Sequence, residues 1–152
     1  MTKAYVLGPG EGASLMGGRN TIKASAEKTG GTLAAIETVI PPGRWIPAHT
    51  HAGEEEAWYI LEGTLTFLID TATYDAPAGS FVLVPRGSVH SFGNDTDAVA
   101  RFLELFAPAG MEGYFRERAA LAAADAEGEL DYAGLNPDAH AALAGKYNMK
   151  FV

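Results

Sequence analysis

The chain has 152 residues, of which 47% are hydrophobic and 20% charged; that is enough for one domain with a real core and too apolar for a disordered chain. A net charge of −8, with 11 dispersed Lys and Arg, argues against a phosphate-binding surface and so against nucleic acid as a partner. The lack of cysteine excludes disulfides, thiolate metal sites and a cysteine nucleophile.

From the N-terminus, residues 1–20 carry several glycines but no basic stretch followed by an apolar run, so they do not read as a signal peptide. No apolar run approaches the ~18 residues that span a bilayer. The expectation is a cytoplasmic protein with no membrane partner.

Prolines and glycines then punctuate short segments rich in β-branched and aromatic residues, the rhythm of an all-β sandwich or barrel. Thr21–Ala26 and Thr32–Ile40 read as strands joined by a hairpin-like turn at Lys28-Thr29-Gly30-Gly31, and Pro41-Pro42-Gly43 stops the second. Ala57–Leu61 and Thr64–Ile69 form the next pair, turning at Glu62-Gly63. Thr73–Ala76, Phe81–Val84, Val89–Phe92 and Val99–Phe106 follow. Ala57–Leu61 and Phe81–Val84 are apolar at every position, which predicts cover on both faces.

After Pro108 the period changes. Met111, Phe115, Ala119 and Ala122 recur at helical spacing, with Arg116, Glu117 and Arg118 expected mostly off that face. Asn136-Pro137 reads as the start of a second helix running to about Gly145, and Met149–Val152 as a short last strand or a trailing end.

The chemistry concentrates between Gly43 and Glu56. His49 and His51, at i and i+2 on an extended chain, point to one face and can grip one ion. A carboxylate beyond the Ala52-Gly53 turn can return to that face, and His90 opens another strand after the Pro85-Arg86-Gly87 turn. Of the Glu54-Glu55-Glu56 run, Glu56 shares parity with Trp58 and Ile60 and is taken as the inward carboxylate. Glu54 and Glu55 are expected to be solvated. Imidazoles with a carboxylate suit one divalent transition metal (Fe, Ni, Co, Mn or Zn), and four donors on a six-coordinate ion leave positions open for substrate. Parity places Trp58, Ile60 and Phe92 inward as pocket candidates, joined by Phe102 on the late strand and by Met111 and Phe115 under the first helix. Glu104 is either outward or in a polar partnership.

These residues carry a family resemblance. Gly43, His49, His51, Glu56 and Gly63 are spaced as in the first cupin motif, and Gly79, Pro85, Gly87, His90 and Asn94 as in the second. The chain thus resembles the single-domain cupins, which implies a double-stranded β-helix (jelly roll) over residues 1–107 with a helical extension over 108–152. The phrase from Glu55 to Gly63 and the tail from Pro108 onward resemble the quercetin-dioxygenase-like subgroup. That resemblance implies a dioxygenase acting on a small aromatic hydroxyl-carbonyl molecule, with His49, His51, Glu56 and His90 as metal ligands, Glu56 also as general base, and a homodimer. A zinc-dependent cyclase or isomerase and a non-catalytic binding barrel remain as alternatives, because the fold hosts many chemistries.

Overall fold

In a computed structural model describing residues 2–124 and 137–152, the strands form two antiparallel sheets facing one another. Strands β1 (Ala13–Leu15), β2 (Asn20–Ala24), β3 (Ala34–Ile40), β5 (Glu55–Glu62), β8 (Phe81–Val84) and β10 (Ala100–Ala107) make the first, in the order β1-β2-β3-β10-β5-β8. The second comprises β4 (Trp45–His51), β6 (Thr64–Ile69), β7 (Ala72–Pro77), β9 (His90–Gly93) and β11 (Met149–Phe151), in the order β11-β4-β9-β6-β7. Helices are few, and the architecture is the all-β double-stranded β-helix expected from the sequence.

Alternation sets the core. Along β10, Ala100, Phe102, Glu104 and Phe106 are buried, while the residues between them are only half-buried. Register aligns these with Ile60, Trp58 and Glu56 of β5 and with Thr38, Ile36 and Ala34 of β3. One apolar cluster, built on Trp58, Phe67, Phe92 and Phe102, fills one part of the space between the sheets. A second joins Phe106 and Ile36 to Met111, Tyr114 and Phe115 of helix α2 (Met111–Ala124).

Three expectations need correction. The link between β2 and β3 is a single helical turn, α1 (Ala26–Thr29), rather than a hairpin turn; Gly30 ends it at φ 69°. The Ala26 N–H is held by Glu112 of α2 (2.6 Å), a distant contact that the local sequence does not reveal. Strands β5 and β8 are not covered on both faces, since Tyr59, Leu61, Phe81 and Leu83 are exposed, Phe81 by 61%. An antiparallel sheet tolerates one wet face, so continuous apolarity overstates burial here. Third, Arg118 does lie on the buried face of α2: it is 3% exposed and donates from Nη2 to Asn20 Oδ1 (3.1 Å).

Helix α3 covers Pro137–Lys146; the expected cap at Asn136 lies outside the described residues. The C-terminal segment then pairs as β11 with β4, placing Phe151 opposite His49 and Met149 opposite His51. Among the described residues, no helix is long and apolar enough to cross a membrane.

Candidate metal centre

The motif residues hold one another. Gly43 N–H donates to Asn94 O (2.8 Å) and Asn94 N–H to Arg44 O (2.9 Å), so the start of the first motif is tied to the end of the second. The Asn94 side chain, fully buried, donates to Ile40 O and Ala98 O and accepts from Thr96 N–H and Oγ1. Gly87, at φ 80°, donates its N–H to His51 O (2.8 Å), which couples the Pro85–Gly87 turn to a histidine strand. Gly63 sits at φ 74°, and a Cβ there would lie 2.8 Å from Val99 O, so only glycine fits without displacement.

This scaffold brings His49, His51, Glu56 and His90 together, all buried, with one potential donor atom from each within 4.8 Å of the others. The histidines hang from β4 and β9 of the second sheet, where His49 pairs with His90; Glu56 reaches across from β5 of the first. Each Nε2 faces Glu56 Oε2, at 4.0 Å for His49, 3.0 Å for His51 and 2.8 Å for His90. On the far side of each ring, Nδ1 has its own acceptor: Pro47 O for His49 (2.7 Å), Ser88 O for His90 (3.1 Å) and Glu54 Oε1 for His51 (2.7 Å). With Nδ1 carrying the proton, every Nε2 lone pair points at one place.

Electrostatics separates the two histidines of β4. Burial pushes His49 down to about 4, against the opposing pull of Glu56. Burial would also lower His51, but the carboxylates of Glu54 and Glu56 outweigh it and raise it to about 9. Glu56 is held well below the usual carboxylate range: burial alone would raise it, and the hydrogen bonds and charges of His51 and His90 prevail. The His51 contact is a close ion pair at 3.0 Å whose geometry is poor for a hydrogen bond, so Nε2 is buried and imperfectly satisfied. Three buried imidazoles whose Nε2 atoms converge on one buried carboxylate are a donor set that fits a transition metal. These four residues could therefore hold one divalent ion.

A cavity of about 50 Å³ is lined by three of the four, His49, His51 and Glu56. Of the pocket residues expected from the sequence, Phe92, Phe102, Met111 and Phe115 line it. Trp58 and Ile60 do not; both are wholly buried in the core cluster behind. Lining residues not expected from the sequence include Asn20 and Arg118, linked to each other, and Arg44. Glu104, whose direction the sequence left open, faces inward, is 4% exposed and accepts a hydrogen bond from Trp58 Nε1 (3.2 Å). Burial first, and the Glu56 carboxylate second, push its carboxyl well above the usual range. Glu54 is the remaining correction: it is 8% exposed, not solvated, because the Ala52-Gly53 turn folds it back onto His51. Glu55 is half-exposed and ion-paired with Arg86 (3.3 Å).

With this geometry, similarity to known proteins becomes interpretable. Residues 36–106 match the family model described as a cupin domain, and the match contains all four clustered residues. This part of the chain is a cupin domain. Over 114 residues, 74% of its length, it is 32% identical to quercetin 2,3-dioxygenase of Bacillus subtilis; it spans about a third (34%) of that relative. Among solved structures it is similar to a predicted oxalate decarboxylase of Thermotoga maritima (26% identity, 59% of this cupin chain and 78% of that one, TM-score 0.56). It also shares its fold with KdgF of Halomonas (16% identity, 62% and 81% coverage, TM-score 0.56).

Proposed function

We propose that this cupin is a metal-dependent dioxygenase acting on a small aromatic hydroxyl-carbonyl substrate. In this reading His49, His51, Glu56 and His90 ligate one Fe, Ni, Co, Mn or Zn ion. The observation that carries it is the convergence of three Nδ1-tethered histidines on one buried carboxylate, with one donor atom from each of the four residues within 4.8 Å of the others. Similarity to a quercetin 2,3-dioxygenase supports the oxidative chemistry.

A bound metal of this kind supplies a Lewis acid that lowers the pKa of a substrate hydroxyl and, if redox-active, a means of handling oxygen. The chain's own residues do the rest. In this reading Glu56 also receives the hydroxyl proton, as the one carboxylate among the four clustered residues. The aromatic lining of Phe92, Phe102, Phe106 and Phe115 excludes water and offers ring faces to a flat substrate. An apolar cavity engineered to bind benzene is ~150 Å³, and this one is about 50 Å³. A flat ring therefore needs more room than this cavity offers as it stands. We further propose a cytoplasmic homodimer, with the exposed Tyr59, Phe81 and Leu83 of the first sheet as the contact face.

The test is metal content and oxygen uptake of untagged protein beside a His49→Ala/His51→Ala double variant. About one equivalent of Fe, Ni, Co or Mn, lost in the variant, with oxygen consumed in the presence of a flavonol-like phenol, is the expected result. Stoichiometric zinc without oxygen uptake would replace it with a cyclase or isomerase reading, and no metal after reconstitution would leave a binding barrel.

A further inference from the structure

The three histidines are not tethered alike. For His49 and His90 the Nδ1 acceptor is the backbone carbonyl two residues earlier in the chain, at Pro47 and Ser88. Such a bond is set by strand geometry and carries no net charge. His51 instead uses a side chain, Glu54, at 2.7 Å. Strand β4 ends at His51, and the chain reverses through Ala52-Gly53, so Glu54 is delivered to the outer edge of the ring before β5 begins at Glu55. Both partners are buried, at 3% and 8% exposure. A buried carboxylate needs a hydrogen-bond donor, and the His51 ring supplies one to Glu54 at Nδ1. The flanking Glu55 is turned out toward Arg86, so the contact belongs to Glu54 and not to the acidic run as a whole.

We propose that Glu54 is a positioning residue of the metal centre: its carboxylate locks the His51 ring with Nε2 aimed at the ion's place and makes that imidazole the most electron-rich of the three. The inference rests on the metal reading above and adds to it a residue outside the four donors. Carboxylate–histidine pairs of this kind change metal affinity about 10–100-fold when broken.

Glu54→Gln and Glu54→Ala separate its two contributions. An amide oxygen can still accept from Nδ1–H but brings no charge, whereas alanine leaves the ring without a partner. Co²⁺ affinity, read by competition with a chromophoric chelator, should fall about 10–100-fold in Glu54→Ala and by less in Glu54→Gln. The visible ligand-field spectrum of the cobalt-loaded protein should change in the same order, and Glu55→Gln should match wild type in both. Long-range ¹⁵N NMR of the metal-free protein should show His51 losing its fixed tautomer in Glu54→Ala. If Glu54→Ala does not fold, the near-isosteric Glu54→Gln carries the comparison. Wild type that binds Co²⁺ while both variants keep its affinity and spectrum overturns the role of Glu54 alone. Wild type that takes up no Co²⁺ overturns the metal reading and this inference with it.

Discussion

Trp58 donates its indole N–H to Glu104 Oε1 at 3.2 Å, in the floor of the barrel directly behind Glu56. Adjacent strands place the two side chains opposite one another, Trp58 on β5 and Glu104 on β10. Burial and the neighbouring Glu56 keep the Glu104 carboxyl protonated well above the usual range, so it serves the indole as a neutral acceptor. Glu104→Gln preserves that acceptor, and its unfolding free energy in denaturant should stay close to wild type. Glu104→Leu leaves the indole N–H buried without a partner and should cost about 1–3 kcal/mol. Equal losses in the two variants would mean that the carboxyl is charged.

In the metal-free protein, stability should peak near pH 6.5. His51 is raised to about 9, so the folded state holds its proton more tightly. That contribution is complete below the unfolded value and is lost as pH rises from 6.5 through 9. His49 is lowered to about 4, so the unfolded state takes up the extra proton and stability falls as pH drops from 6.5 toward 4. Glu56, depressed by its histidine partners, adds a further loss at acid pH. Thermal melts in the presence of chelator across pH 4–10 check this; a curve rising monotonically to pH 9 would contradict the His51 assignment.

Metal should stabilise the fold by mass action. At a free ion concentration 1,000 times Kd the gain is about 4 kcal/mol, or roughly 8–16 °C for a chain of this size. His90→Ala, which removes one donor, should abolish most of that shift. Differential scanning calorimetry with and without Co²⁺ measures it.

Asn94→Ala should destabilise the domain without touching a donor. The substitution leaves the Ile40 carbonyl short of a buried partner, at about 1–3 kcal/mol, whereas the carbonyl of exposed Ala98 keeps Thr96 Oγ1. Because Asn94 also anchors the end of β9, Co²⁺ affinity should weaken along with stability. A variant as stable as wild type would mean that water replaces the amide.

Much of this was legible because motif spacing and strand parity are local. His49, His51, Glu56 and His90 could be chosen from the sequence, and Glu56 could be told from Glu55, since neighbours on a strand point to opposite faces. Parity fails at turns, and that is why Glu54, folded back by Ala52-Gly53, was expected in solvent. It also cannot tell cavity wall from core: Trp58 and Phe92 share the interior, yet only Phe92 borders the cavity. Arg118 was misplaced for another reason. A charged side chain on a buried helix face depends on partners remote in sequence, here Asn20, which lies 98 residues away. A signal does exist, since Arg118 follows Met111 and Tyr114 at helical spacing.

The four clustered donors do not belong to one sheet. Three hang from the second and Glu56 from the first, so an ion held among them would be a bolt through both leaves of the barrel. Prising the leaves apart at that end would first require the ion to let go. The breathing of the barrel mouth would then be timed by metal dissociation rather than by side-chain packing. Amide hydrogens of β4, β5 and β9 would slow together in exchange as the ion is titrated in, while those of the far strand β7 would keep their own pace.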